Sequence, residues 1–271
     1  MPELPEVETT RLGIQSHIVG QKVKKVRVRN GQLRWPVPES LAQELPARQI
    51  DRVERRGKYL LVFAGDSCVL IHLGMSGSLR ITTTDDPILK HDHIDIEFEN
   101  GPILRYSDPR RFGCMLWLKE SPLLHPLLKQ LGPEPLTEHF SGRALHALSR
   151  GRRVPIKTFI MDSHVVVGVG NIYANEALYM AGIKPDRAAG TISAKRYEKL
   201  VECTKEILQR AITQGGTTLR DFVGGDGKPG YFKQSLLVYG RAGEPCLACG
   251  KPLRELRLAQ RSSVYCVQCQ K

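Results

Sequence analysis

A chain of 271 residues that sets 40 lysines and arginines against 28 aspartates and glutamates carries a net charge of +12 and a pI near 9.5. Its apolar fraction of 41% with 25% charged residues is that of an ordinary soluble protein, long enough for two domains with cores of their own. The charge points to a polyanionic partner, although charge alone specifies no chemistry. No apolar run approaches the roughly 20 residues that cross a bilayer, and the acidic start lacks the basic and apolar regions of a signal peptide. A cytoplasmic protein with no membrane role is expected. In that reducing setting the seven cysteines should not form a disulfide framework, so any clustering among them asks for another explanation.

The chain begins Met1-Pro2-Glu3-Leu4-Pro5-Glu6-Val7-Glu8-Thr9. Once Met1 is trimmed, as is usual before a small residue, Pro2 carries a free secondary amine. Such a terminal amine has a reference pKa of about 8, well below a lysine, so part of it is neutral and nucleophilic at physiological pH. With an aldehyde it forms a charged iminium that draws electrons from neighbouring bonds. Pro5 and the glutamates at 3, 6 and 8 suit a helix start. A helix N-terminus lowers the amine pKa and nearby carboxylates raise it, and the sequence leaves that contest open.

Apolar residues Val7, Ile14 and Ile18, with Gly20 behind them, predict one helix after the proline. Residues 22 to 29 alternate in strand fashion around Val26 and Val28 and read as a solvated, basic sheet face. Further strands are expected at 58–63, 68–73, 78–82, 94–98 (in clean alternation), 103–106 and 114–118, which argues for a β-sandwich or barrel. The Pro-rich stretch Leu131-Gly-Pro-Glu-Pro135 marks a junction. Beyond it helices are expected at 141–150, 155–161, 171–180 and 193–213, followed by a glycine-rich loop from 217 to 231.

Three patterns carry chemistry. Cys246-Leu-Ala-Cys249 and Cys266-Val-Gln-Cys269 place four thiolates on two knuckles, the set that a tetrahedral Zn²⁺ requires; a redox pair or two disulfides is the plainer alternative. Four thiolates leave no position for water, so this zinc would be structural. The basic segment between them, with Arg254, Arg257 and Arg261, has a hairpin tip around Gln260-Arg261-Ser262. Next, Gly168-Val-Gly170-Asn171-Ile-Tyr173 sets glycines before a helix N-terminus, where backbone N–H groups can receive a phosphate. A dinucleotide fingerprint fails there, because Tyr173 stands where its third glycine belongs. Finally, His72-Leu-Gly-Met75-Ser-Gly77 and Asp108-Pro-Arg110-Arg111-Phe112-Gly113 offer Met, Arg and Phe at glycine-flanked turns. Such residues can fill the gap left by an everted base, or simply belong to a core.

Together with Arg56-Gly-Lys58-Tyr59, these motifs stand in an order that closely resembles the bacterial formamidopyrimidine-DNA glycosylases from end to end. The resemblance implies an α+β fold: an N-terminal β-sandwich with flanking helices over residues 1–131, a linker at 132–136, a helical domain with a helix–two-turn–helix motif at 137–240, and a four-Cys zinc finger at 241–271. It implies excision of oxidised purines, chiefly 8-oxoguanine and formamidopyrimidines, from double-stranded DNA, then strand cleavage at the abasic site by a monomer. By position, Pro2 would be the Schiff-base nucleophile and Glu3 the proton donor. Lys58 would serve as proton donor in β-elimination, and Arg261 in δ-elimination with a phosphate contact. Met75, Arg110 and Phe112 would form a wedge, with Arg110 facing the orphaned base. His91, Lys157 and Asn171 would contact DNA, residues 217–232 would close over the everted base, and one structural Zn²⁺ would sit on Cys246, Cys249, Cys266 and Cys269. The related endonuclease VIII enzymes, which prefer oxidised pyrimidines, typically have glycine where Leu4 stands here. A zinc-containing DNA-binding protein without catalysis, or a proline-based tautomerase, are the remaining alternatives.

Overall fold

The computed structural model describes residues 2–216 and 235–271. The chain divides into two compact units, one holding residues up to Lys129 with a segment that begins at Gln214, the other holding Gln130–Thr213 with residues 235 onward. The expected glycine-rich loop lies outside the described residues, as does Met1.

The first unit runs α1 (Leu4–Ile18), β1 (Val23–Val28), α2 (Glu39–Glu44), β2 (Arg52–Arg56), β3 (Tyr59–Ala64), β4 (Ser67–His72), β5 (Ser78–Thr82), β6 (Asp92–Phe98), β7 (Ile103–Ser107), β8 (Cys114–Leu118) and α3 (Pro126–Lys129). Its described strands form two four-stranded sheets, ordered β1-β6-β7-β5 and β2-β3-β4-β8, with antiparallel pairing throughout. One apolar core joins them, drawing Ile94, Ile96 and Leu104 from the first sheet, Leu60, Val62, Val69 and Ile71 from the second, and Val7, Ile14 and Ile18 from α1. This is the expected sandwich.

Two strands differ in detail from the reading of the sequence. A register shift between Val23 and Lys25 turns β1 so that Val23 and Val26 face the core, while Val28 is exposed. In β6 the alternation is not clean, because Asp95 is buried along with Ile94 and Ile96. Arg105 donates to both Asp95 oxygens at 2.9 and 3.0 Å, and Arg29 also pairs with it, which compensates the buried charge. These contacts hold the Asp95 carboxyl below its usual range although burial alone would raise it. Helix α2 and strand β2 carry too few apolar residues to be seen in sequence, with only Leu41 and Val53 buried in them.

The second unit contains α4 (Gly142–Ser149), α5 (Ile156–Met161), α6 (Asn171–Met180), α7 (Ala194–Thr213) and the hairpin β9 (Arg254–Leu258) with β10 (Arg261–Tyr265). Ser141 caps α4 by accepting from the Ala144 N–H at 3.3 Å. The face of α7 that the sequence pattern sets inward, Tyr197, Leu200, Val201, Thr204, Leu208 and Ile212, is buried as far as Leu208, and Ile212 in the last turn is half-buried. The four-cysteine segment packs on α6, and its small core gathers Val238, Cys246, Leu253, Val264 and Cys266. Among the described residues no helix is long and apolar enough to cross a membrane.

Candidate active site and nucleic-acid interface

The start of α1 is built by its own carboxylates. Glu3 is the N-cap, and a reciprocal capping box joins it to Glu6, whose Oε2 accepts from the Glu3 N–H at 2.8 Å. Pro2, Glu3 and Glu6 are all buried. Gly216, at φ +78°, lies so close that a Cβ there would be 3.2 Å from Glu6 Oε1, which sets Gly216 against the first turn of α1. Lys58 sits in the turn between β2 and β3, which is tied to α1 through Arg55: its Nε donates to Glu8 at 2.9 Å and its Nη1 to the Gly57 carbonyl at 3.2 Å. Burial would raise the Glu8 carboxyl, but the hydrogen bond from Arg11 and the charges of Arg55 and Arg11 hold it below its usual range. Glu8 therefore stays ionised and fixes the Lys58 turn to the helix that bears Pro2.

The predicted wedge residues sit on two neighbouring crossovers between the sheets. Met75 lies on the β4–β5 connection, and Arg110 and Phe112 on the β7–β8 connection. Pairing of His72 with Cys114 at one end and Ser78 with Ser107 at the other forces these connections side by side. Their approach needs glycine twice. A Cβ on Gly74 would meet the Phe112 carbonyl carbon at 2.5 Å, and one on Gly113 would meet Tyr106 Oη at 2.0 Å. Arg110 stacks its guanidinium 4.7 Å from the Phe112 ring, Phe112 is 44% exposed, and Arg111 takes a left-handed φ of +55°. Arg110, Arg111 and Phe112 line an open cleft of about 530 Å³ with Gln32, Leu33 and Arg34.

His72 holds the Met75 turn from below, its Nδ1 accepting from the Gly74 N–H at 3.0 Å while its ring packs 4.7 Å from Tyr59. Burial, and then the charges of Lys58 and Arg34, push its pKa down to about 4, so it is neutral at physiological pH. His91 belongs to the same region, its carbonyl accepting from the Asp108 N–H at 3.1 Å.

The second unit brings together the remaining predicted residues. Gly170 is the N-cap of α6, so Asn171 is its first residue, as expected of an anion-receiving turn. Asn171 Oδ1 is buried with no hydrogen-bond partner among the described residues. Lys157 does not present its ammonium to solvent. It is 1% exposed and donates to the Ser262 carbonyl and to Ser263 Oγ at 2.7 Å, inside the β9–β10 hairpin. Asn175 adds a second tie, its Oδ1 accepting from the Val264 N–H at 2.8 Å. The hairpin tip is Ala259-Gln260, both at positive φ, which makes exposed Arg261 the first residue of β10 rather than the tip itself.

Sequence reading missed Glu176. Its carboxylate accepts from the N–H groups of Leu237, Val238 and Tyr239 at 2.7, 3.0 and 2.8 Å, anchoring the chain just after 217–234. A lone glutamate on a helix gives no signal of partners that far along the chain.

The four cysteine sulfurs lie within 4.8 Å of one another. A tetrahedron of about 2.3 Å zinc–sulfur bonds has edges of about 3.8 Å, and the Cys249–Cys266 and Cys246–Cys269 separations of 3.4 and 3.9 Å bracket that value. The donor set fits one structural zinc. Tyr179 Oη contacts Cys246 Sγ at 3.1 Å and orients this ligand from α6.

A β-sandwich unit joined in one chain to a helical unit that ends in a four-cysteine hairpin is the architecture of one class of DNA-repair glycosylase. Residues 1–115 match the formamidopyrimidine-DNA glycosylase N-terminal domain, 131–223 the formamidopyrimidine-DNA glycosylase H2TH domain, and 243–271 the zinc finger found in FPG and IleRS. The chain is 62% identical to the formamidopyrimidine-DNA glycosylase of Stutzerimonas stutzeri and 56% to that of Hahella chejuensis, in each case over the whole of both chains. It also superimposes on the Lactococcus lactis Fpg (MutM) crystallised with N7-benzyl-Fapy-dG DNA, with a TM-score of 0.92 and 35% identity over all of both chains. For the Thermus thermophilus MutM the TM-score is 0.89 at 35% identity, covering 99% of this chain and 98% of that one. The chain belongs to the formamidopyrimidine-DNA glycosylase family, zinc-finger enzymes of DNA repair that combine glycosylase and abasic-site lyase activities.

Proposed function

We propose that Pro2, freed of Met1, attacks C1′ of an 8-oxoguanine or formamidopyrimidine nucleotide in duplex DNA. A new N–C1′ bond forms as the C1′–base bond breaks, and the base leaves with a proton. Glu3 protonates O4′ as the C1′–O4′ bond opens, which leaves an iminium on the ring-opened sugar. Loss of the acidified C2′ proton expels the 3′ phosphate, and loss of a C4′ proton then expels the 5′ phosphate. Lys58 assists the first elimination and Arg261 the second. Met75, Arg110 and Phe112 occupy the vacated stack, His91, Asn171 and Arg261 contact phosphates, and Lys157 supports the Arg261 hairpin from within. The zinc supplies no chemistry to the reaction and shapes the hairpin only.

The observation that supports it most is the Glu3–Glu6 capping box, which holds two buried carboxylates at the start of α1, next in the chain to Pro2. The Lactococcus lactis enzyme, crystallised with Fapy-dG DNA and with DNA containing an abasic site, supports the same substrate class. In this reading the protein acts as a cytoplasmic monomer. Borohydride trapping tests the reading: wild type gives a covalent adduct with 8-oxoguanine duplex. A chain with one extra residue ahead of Pro2, whose nitrogen is then an amide, gives none. Equal trapping of both would refute Pro2 as nucleophile.

A further inference from the structure

The side chain of Asp108 is fully buried, and among the described residues it forms no ion pair. A bare carboxylate in such a place is costly unless its lone pairs are filled. Four donors fill them, three from the two wedge connections and one from Tyr106 on β7. Oδ1 accepts from Ser76 Oγ at 2.8 Å and, at 3.2 Å, from the Arg110 N–H, which is shared with Ser76 Oγ at the same distance. Oδ2 accepts from the Gly113 N–H at 2.9 Å and from Tyr106 Oη at 3.1 Å. The backbone of the same residue reaches a third connection: its N–H donates to the His91 carbonyl, and its carbonyl accepts from His93 Nε2 at 2.9 Å.

Each carboxylate oxygen thus serves one hydroxyl, which can rotate, and one backbone N–H, which cannot. A group that accepts on both atoms satisfies all four donors. An amide turned one way would set its NH₂ against the Gly113 N–H; turned the other way it would leave the Arg110 N–H with Ser76 Oγ alone, and either way it gives up the charge on which the four donors converge. What the carboxylate joins is also telling. Ser76 follows Met75 directly, and Arg110 and Gly113 bracket the exposed, partly left-handed tip that carries Phe112.

We infer that Asp108 is a positioning residue that locks the Met75 turn to the Arg110–Phe112 loop, so that the wedge enters DNA as one preformed body. This rests on the wedge reading of those three residues given above. Ordering the two turns in advance removes an entropic cost that separate loops would meet at insertion. Steps that require a base to be displaced from a duplex depend on Asp108; chemistry on a site with no base pair to open depends on it far less.

The experiment compares 8-oxoguanine excision from duplex with borohydride trapping on an abasic single strand, for wild type, Asp108→Asn, Ser76→Ala and Phe112→Ala, with thermal unfolding of each. Asp108→Asn should lower the ratio of the first rate to the second by roughly 10-fold or more, the effect of losing one buried hydrogen bond to a charged group. Ser76→Ala, which removes both the tie from Ser76 to Asp108 and the direct one from the Arg110 N–H to Ser76, should lower the ratio as well. Equal losses on both substrates, or an unchanged ratio in folded Asp108→Asn, overturns the inference. Should that variant not fold, an unchanged ratio in Ser76→Ala does the same. An unchanged ratio in Phe112→Ala instead sinks the wedge reading itself.

Discussion

Lys157 and Ser263 stand 106 residues apart in sequence and are joined by a 2.7 Å hydrogen bond from ammonium to hydroxyl, with both side chains out of solvent. The bond ties the N-terminal part of the second unit to its zinc hairpin. Lys157→Ala leaves the Ser262 carbonyl and the Ser263 hydroxyl without this donor. We expect a loss of about 2–4 kcal/mol, the range for breaking a buried charged hydrogen bond, seen as a lower midpoint in thermal unfolding. DNA affinity should fall while the slope of log K against log salt stays constant. A slope reduced by about one would instead assign Lys157 a direct phosphate contact.

The neutral state of His72 is a source of stability with a definite pH window. Its ordinary pKa of 6.5 is pushed down to about 4 in the folded chain, so the unfolded chain takes up a proton between those values before the folded one does. The stabilisation is complete above about pH 6.5 and is lost as pH falls toward 4, and at about 1.4 kcal/mol per unit it amounts to about 3–4 kcal/mol. Urea unfolding at a series of pH values should show this slope in wild type. In His72→Asn, which keeps an acceptor for the Gly74 N–H but has no titrating group, the slope should be shallower by about one proton.

Gly113 is required by space rather than by backbone conformation. A Cβ there would stand 2.0 Å from Tyr106 Oη and 2.3 Å from the His72 carbonyl. Gly113→Ala should cost about 3 kcal/mol or more through overpacking. Adding Tyr106→Phe removes the closer obstacle and should recover part of the loss, a non-additivity that a double-mutant cycle measures. Strict additivity would mean that the loop moves away as a whole.

Chelation should unfold the hairpin selectively. Without zinc the four thiols lose the ion that gathers them, and the small core around Val238, Leu253 and Val264 cannot stand alone. Cysteine titration should report four newly reactive thiols with concurrent loss of DNA binding, restored by Zn²⁺. Cys68 and Cys114, buried in the sandwich with thiol pKa values pushed up to about 12 and about 11 chiefly by burial, should stay unreactive in that assay.

The sequence alone determined the chemistry-bearing vocabulary: a second-position proline beside glutamates, paired CxxC knuckles, glycines ahead of α6, and the short apolar runs that become β5 and β8. Each of these signals is local, set by residue type and a period of a few positions, so it survives without knowledge of the fold. The basic strand β2 and the short helix α2 escaped because one buried residue each gives no period to read. Only the tertiary structure decided that Lys157 turns inward to a hairpin, that Glu176 anchors residues 237–239, and that Asp108 gathers two turns onto one carboxylate. Those outcomes follow from which strands pair and in what register. Pairing is a property of the whole core, minimised over residues far apart in the chain, and no short stretch of sequence contains it.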